Sequence, residues 1–258
     1  MDTRPHAFLE EDGAGWRDVT SAIVEGHDAD AVIRTRDSGI AAGVAEARSL
    51  FEHVGLTVET VVDEAIDEFG EIDIVINNAS AIQLATIADL PADRFDLLTD
   101  VNVRGTHIVA HAFADHLAGQ DGAWLLSNSP PVVTDRSPGK APYAWSKLGM
   151  SFITLSLAEE LAGEDVGCNT FWPVTSIDTR ATRYFGLGTE DDWRSPQIVA
   201  DAVLEILARD PADCTGNSFY DEALLAAAGV TDLSEYNITE GDPAPMSAQL
   251  FDPEYERT

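Results

Sequence analysis

A tyrosine and a lysine, Tyr143 and Lys147, stand four positions apart in the segment YAWSK, and a helix would place both on one face. A tyrosine alone loses its proton at about pH 10, and a neighbouring ammonium group lowers that pKa toward the working range. Lys147 is one of only two lysines among 15 basic residues. An arginine could not replace it beside the tyrosine, because a guanidinium group is broad and planar whereas an ammonium group is a compact point charge. The pair therefore predicts a general acid/base, although the same spacing alone is also typical of a solvent-exposed helix face.

Further polar residues stand where a parallel sheet would present them to a ligand. Ser127 and Ser129 come directly after a predicted strand, and Asn77 follows the preceding strand in the same way. Open α/β sheets bind their ligands at the carboxyl ends of the strands. Asn102 lies inside a long predicted helix between those two strands. Each residue alone could equally be a turn asparagine or a strand-end serine, but their order along the chain favours a shared site.

The elements that would position these residues alternate between helices and strands. Apolar residues at helical spacing predict helices over 57–69, 91–116, 143–162 and 198–207, and short apolar runs predict strands over 72–76, 123–126 and 166–171. Such alternation is typical of an α/β fold, here a Rossmann-type three-layer sandwich around a doubly wound parallel sheet. No repeat or linker interrupts the chain, so we expect a single domain over 1–258. Its C-terminal segment, 239–258, is predicted to lie extended over the body.

The composition excludes several classes of protein. The chain has 258 residues with a formal net charge of −31, and such a field disfavours nucleic acid as a partner. Two cysteines are too few for a disulfide scaffold, and no apolar run is long enough to span a membrane. We therefore expect a cytoplasmic protein without a membrane partner, and no metal site among its histidines and cysteines. The 46 acidic residues are spread along the chain, and lysine is almost absent. This pattern is typical of adaptation to high salt, and the alternative is an acidic protein without such adaptation.

Six motifs together resemble the short-chain dehydrogenase/reductase family. They are NNASAI (77–82), VNVRGTH (101–107), SNSPP (127–131), YAWSKLGMS (143–151), FWPVTSIDT (171–179) and TGNSFYDE (215–222). The resemblance extends from residue 57 to about 255. It implies a Rossmann-type sheet and hydride transfer between a nicotinamide cofactor, NADP or NAD, and a carbonyl or alcohol that is small or lipid-like.

The resemblance also implies a role for each candidate catalytic residue. Tyr143 would exchange a proton with the substrate oxygen, and Lys147 would lower the pKa of this tyrosine and bind the nicotinamide ribose. Ser129, which matches the family's serine better than Ser127, would donate a hydrogen bond to the substrate oxygen. Asn102 would hold a water that connects Lys147 to solvent.

Further positions are expected to contact the cofactor or a second subunit. By resemblance, Asn77 and Ala79 would line the adenosine side of the cofactor. Thr175 and Ile177, which follow Pro173, would contact the nicotinamide carboxamide. The family also often forms homodimers and homotetramers through the Tyr/Lys helix and the helix before it.

The first part of the chain, 1–56, departs from the family pattern. The phosphate-binding turn should lie over 10–17, where Gly13 and Gly15 are present but three consecutive carboxylates would repel a pyrophosphate. Arg34 and Arg36, at the end of the predicted second strand, favour the 2′-phosphate of NADP, unless both are ordinary surface arginines. An alternative function is therefore open, namely a catalytically impaired pseudo-enzyme that serves as a binding or assembly module.

Overall fold

The computed structural model describes residues 62, 65–67, 69–133, 137–253 and 255–257. The chain divides into two compact units, Met1–Gly70 and Glu71–Thr258. In the first unit, the described residues 62, 65–67 and 69 are helical, as the predicted helix over 57–69 requires. Gly13, Gly15, Arg34 and Arg36 lie outside the described residues, and so do the predicted phosphate-binding turn and second strand.

The second unit is built on a parallel sheet. Its strands are β1 (Ile74–Asn77), β2 (Ala123–Asn128), β3 (Val166–Trp172), β4 (Ser176–Ile177), β5 (Trp193–Arg194) and β6 (Ser218–Tyr220). Four of them form one sheet in the order β1-β2-β3-β6, and β4 and β5 form a separate parallel pair. The register places Asn77 opposite Ser127, so the polar ends of neighbouring strands lie at the same edge of the sheet.

Helices connect these strands. They are α1 (Ala92–Leu98), α2 (Gly105–Ala118), α3 (Ala141–Glu160), α4 (Arg180–Phe185), α5 (Gln197–Leu207), α6 (Asp221–Ala227) and α7 (Met246–Gln249). A π-helical segment, Thr99–Arg104, joins α1 to α2, so the long helix predicted over 91–116 is found with a widened turn in its middle. Within the described residues, no helix is long and apolar enough to cross a membrane.

Apolar side chains cover both faces of the sheet. Trp124 and Leu126 of β2 pack in a cluster with α5 and α6. Leu125 of β2 and Cys168 of β3 pack on the opposite face with α2 and α3. Because successive strand residues point to opposite faces, a run of apolar residues is what a sheet covered on both sides requires. The structure thus confirms the predicted α/β sandwich.

The C-terminal segment is less extended than its sequence suggests. It contains the short helix α7, and Phe251 directly beyond this helix is buried in a third apolar cluster with Tyr143 and Trp172. Strand β6 and helix α6 were likewise not predicted from the sequence. Both are short, and the three residues of β6 are only partly buried, so neither has a clear periodic pattern.

Gly167 on β3 provides a test of this packing. A Cβ at this position would clash with the ring of Trp124 on the neighbouring strand. We expect Gly167→Ala to lower the free energy of unfolding by about 1–3 kcal/mol, as overpacking a core does. The measurement is urea unfolding followed by circular dichroism.

Gly105 in α2 is the matched control. Among the residues that the structure describes, a Cβ there would meet only the backbone oxygen of Asp100, at 3.5 Å. Replacing a helical glycine by alanine stabilises by up to about 1 kcal/mol, so Gly105→Ala should not destabilise the protein. Equal losses of stability in the two variants would contradict the packing described between β2 and β3.

Candidate active site

Tyr143 and Lys147 lie one turn apart on α3, and neither is on a solvent-exposed face. Helix α3 begins at Ala141 with Pro142 in its first turn, where the missing backbone N–H of proline costs no hydrogen bond. Tyr143 is 4% exposed and Lys147 is 2% exposed. This burial excludes an ordinary solvated helix face as the explanation for the tyrosine–lysine spacing.

The ammonium group of Lys147 is held by oxygen atoms of neighbouring elements. Its Nζ donates to the backbone oxygen of Asn128 at the end of β2 at 2.6 Å, and to Ser80 Oγ at 3.3 Å. The same atom lies 5.2 Å from the ring centroid of Trp172. Among the residues that the structure describes, no carboxylate pairs with this amine, and burial lowers the pKa of Lys147 to about 7.

Tyr143 belongs to a buried cluster that contains two further aromatic rings. Its ring centroid lies 6.3 Å from that of Phe251, which in turn packs edge-on against Trp172 at 5.2 Å. Burial raises the pKa of Tyr143 well above its ordinary value. This differs from the sequence-based expectation that Lys147 lowers the pKa, because desolvation acts on both groups and disfavours the charged form of each. At neutral pH the phenol is therefore protonated.

The two candidate serines differ in their hydrogen bonds. The hydroxyl of Ser127 is bonded to Thr154 Oγ1 at 2.6 Å and accepts from the amide of Asn77 at 3.3 Å. Ser129 Oγ is fully buried and has no hydrogen-bond partner among the described residues. A buried hydroxyl without a partner is rare in folded proteins and is expected where a ligand supplies the partner. Of the two serines, Ser129 is therefore the one whose hydroxyl has no partner in the described part of the chain and so remains available to a ligand.

Asn102 in the π-helical segment fixes the loop after β1. Its Oδ1 accepts from the backbone N–H of Ala81 at 2.8 Å and from Ser80 Oγ at 3.1 Å. Its Nδ2 donates to the backbone oxygen of Ala81 and to Ser146 Oγ, both at 2.9 Å. Protein groups thus occupy the whole side-chain amide of Asn102, and Asn102 connects to Lys147 through the hydroxyl of Ser80. The water that Asn102 is expected to hold stays a prediction.

The turn after β3 and the end of β2 each have an unpaired polar group suited to a bound cofactor. Pro173 and Thr175 are buried, and Ile177 of β4 is partly buried. Thr175 Oγ1 and Asn128 Oδ1 are buried without a partner in the described part of the chain. Nicotinamide carboxamide and ribose groups donate and accept hydrogen bonds, so these atoms fit a dinucleotide. Ala79, by contrast, is exposed.

Sequence reasoning missed two residues that shape this site. Ser80 is exposed to solvent yet touches the buried amine of Lys147, and the only sequence signal was its place in the motif NNAS. Asp221 is 2% exposed, and its Oδ1 accepts from the backbone N–H of Val174 at 2.9 Å. Burial raises the pKa of Asp221 to about 7. Its sequence signal was the motif YDE after the last strand.

Two histidines on α2 have a spacing that was overlooked in the sequence. His107 and His111 are four positions apart, and their rings stack with centroids 6.2 Å from each other. Within the described ranges, no group of three or more histidine, cysteine, aspartate or glutamate residues could hold a metal ion.

Comparison with known proteins gives a consistent result. A family model described as short chain dehydrogenase matches residues 53–186, which include Asn102, Ser129, Tyr143 and Lys147. Hydroxysteroid dehydrogenase-like protein 2 of Xenopus tropicalis is 38% identical over 189 residues, and its human counterpart is 37% identical over 201 residues. These alignments cover 72% and 77% of this chain. They cover only 45% and 47% of the relatives, so the chain spans less than half their length.

Two solved structures are also similar. A protein from Xanthomonas campestris, described as a dehydrogenase, is 37% identical with a TM-score of 0.69, covering 78% of this chain and 72% of that chain. A short chain dehydrogenase from Mycobacterium thermoresistibile is 37% identical with a TM-score of 0.67, covering 72% of this chain and 68% of that chain. The resemblance that the sequence motifs indicate is thus confirmed for the family and for the fold.

The pKa of Lys147 can be measured directly because the chain has only two lysines. We expect the amine of Lys147 to titrate at about pH 7, because burial disfavours its charged form. The measurement is a ¹³C NMR titration of protein labelled at the lysine Cε atoms. Lys140→Arg leaves a single signal and so assigns it. A midpoint above pH 9 would show that Lys147 is solvated or paired with an anion.

Proposed function

We propose that this chain, which belongs to the short-chain dehydrogenase family, is an NADP(H)-dependent oxidoreductase acting on a carbonyl or alcohol. The observation that carries the proposal is the burial of Tyr143 and Lys147 together with the unpartnered hydroxyl of Ser129, the residue next to the Asn128 oxygen that accepts from Lys147. A phenol, an amine and a free hydroxyl donor can together transfer a proton to a carbonyl oxygen and stabilise negative charge on it.

The bound nicotinamide would supply or accept the hydride, and the protein would manage the proton. In carbonyl reduction, the Tyr143 hydroxyl gives its proton to the substrate oxygen. The raised pKa of Tyr143 keeps this proton on the phenol at neutral pH, so the resting site is ready to act as the acid. Ser129 Oγ donates a hydrogen bond to the same substrate oxygen as negative charge develops there.

Lys147 would stabilise the tyrosinate that forms when Tyr143 has given up its proton. With a pKa of about 7, the amine can gain or lose a proton in the working range. Ser80 joins this buried amine to the solvent-exposed surface, so a proton can pass through its hydroxyl. Asn102 acts as a positioning residue, because it holds the backbone of Ala81 and the hydroxyl of Ser80 in place.

Several residues would hold the cofactor. Thr175 and Ile177, beyond Pro173, would contact the nicotinamide, while Lys147 would bind its ribose and Asn128 Oδ1 offers a further acceptor. Asn77 and Ala79 are proposed for the adenosine side, although the Asn77 amide already donates to Ser127. Gly13 and Gly15 would face the pyrophosphate, and Arg34 and Arg36 favour the 2′-phosphate of NADP.

The exposed face of α3 supports a homodimer or homotetramer. Trp145 is 50% exposed and Phe152 is 69% exposed. The two residues are seven positions apart, which places both on one side of the helix. Phe95 of α1 stacks on Trp145 with ring centroids 5.5 Å apart. Large apolar side chains grouped on a helix face are typical of contacts between subunits.

The two serines give a paired test of the catalytic assignment. Ser129→Ala should lower kcat by about 100-fold, because a hydrogen bond to the developing charge is lost. It should leave the stability nearly unchanged, since the hydroxyl has no partner among the described residues. Ser127→Ala should do the reverse, losing about 1–2 kcal/mol of stability while retaining activity. In both variants, steady-state kinetics measures kcat and thermal unfolding measures the stability. Activity that survives in Ser129→Ala would contradict the role of this hydroxyl.

Cofactor binding distinguishes the two proposed functions, the enzyme and the pseudo-enzyme. The three carboxylates over 10–12 favour the pseudo-enzyme. We expect NADPH to bind, as measured by nicotinamide fluorescence in concentrated KCl, and to bind more tightly than NADH. Arg34→Ala/Arg36→Ala should reduce this preference by about tenfold or more, because charge-assisted bonds to the 2′-phosphate are lost. Absence of binding at millimolar NADPH and NADH would establish the pseudo-enzyme instead.

A further inference from the structure

Phe251 occupies the space beside the proposed catalytic tyrosine. The residue is 1% exposed, and its ring lies against both Tyr143 and Trp172. It belongs to the C-terminal segment, far along the chain from both partners. One side of the Tyr143 ring is therefore covered by a residue that no catalytic motif includes.

The backbone that carries Phe251 is fixed to the turn after β3. Backbone N–H groups of Ser247 and Ala248 donate to the backbone oxygen of Val174 at 3.1 and 3.0 Å. Trp172 Nε1 donates to the backbone oxygen of Ser247 at 3.1 Å. Since the same turn is proposed to contact the nicotinamide, the position of Phe251 is tied to the cofactor side of the site.

A second attachment holds the chain beyond Phe251. Arg257 pairs with Glu222 Oε2 at 2.9 Å and with Asp242 Oδ2 at 2.8 Å, and both carboxylates also pair with the buried Arg194. The segment is thus anchored on both sides of the phenyl ring. The ring is consequently held in place beside Tyr143 and is not a loose terminal side chain.

The surroundings of the ring are apolar. Besides Tyr143 and Trp172, its cluster contains the buried residues Ala81, Leu98 and Ala144. We refer to the space that the phenyl group fills among these residues as the recess. A substrate substituent that entered the recess would have to be apolar and would compete with the phenyl group for the same volume.

We propose that Phe251 determines the size of the carbonyl substrate by filling the recess beside Tyr143 that a phenyl-sized substituent would otherwise occupy. This inference rests on the proposed function and specifies its substrate class. The natural substrate is a ketone or secondary alcohol whose substituent on this side is small and apolar. Removal of the ring opens the recess to aryl ketones.

The test compares two ketones with NADPH and the intact chain. Phe251→Ala should raise the ratio of kcat/KM for acetophenone to kcat/KM for acetone at least tenfold over the wild type. Phe113→Ala is the matched control, because Phe113 packs in a different apolar cluster under α2. A cavity at that position should leave the ratio unchanged, even where it lowers stability.

A second measurement does not depend on turnover. Isothermal titration with acetophenone in the absence of cofactor should show tighter binding to Phe251→Ala than to the wild type or to Phe113→Ala. Turnover with an unchanged ketone ratio would overturn the role of Phe251 and leave the oxidoreductase intact. Absence of turnover for every ketone in every variant would refute the proposed function. Equal acetophenone binding by all three proteins would then also overturn the proposal that Phe251 fills the recess.

Discussion

The burial of one lysine amine constrains the rest of the site. Lys147 is held by a backbone oxygen and a hydroxyl, and no carboxylate in the described part of the chain neutralises it. A fall in its pKa from 10.5 to about 7 corresponds to about 5 kcal/mol of lost preference for the charged form. A fold retains such an unfavourable group only where neighbouring elements hold it rigidly, and a lysine that changes charge near neutrality suits proton transfer.

Three parts of the fold converge to hold that amine. The end of β2 supplies the Asn128 oxygen, and the loop after β1 supplies the hydroxyl of Ser80. The π-helical segment places Asn102 where its amide locks that loop. The C-terminal segment adds Phe251, whose ring packs against Tyr143 and Trp172. Together they make a buried site with unpaired hydroxyl groups, which is the condition for strong electrostatic effects on a bound oxygen.

Much of this arrangement follows from local sequence patterns. The strands over 72–76, 123–126 and 166–171 and helix α3 were predictable because apolar runs and helical periodicity are local signals. The raised pKa of Tyr143 was not predictable. The spacing of the tyrosine and the lysine indicates a nearby cation, but it does not show the burial whose effect on the pKa is larger. The contributions of Ser80, Asp221 and Phe251 depend on contacts between distant segments. A short polar motif or a lone aromatic residue near the C-terminus carries no signal for such contacts.

The central claim is that the Tyr143 hydroxyl transfers the proton at this site, and its removal is the most direct test. In Tyr143→Phe the ring and its packing remain, so the account predicts unchanged NADPH affinity with a loss of kcat of at least about 100-fold. The measurement is steady-state ketone reduction beside a fluorescence titration of the cofactor. A variant that binds NADPH and reduces the ketone at the wild-type rate would contradict the account.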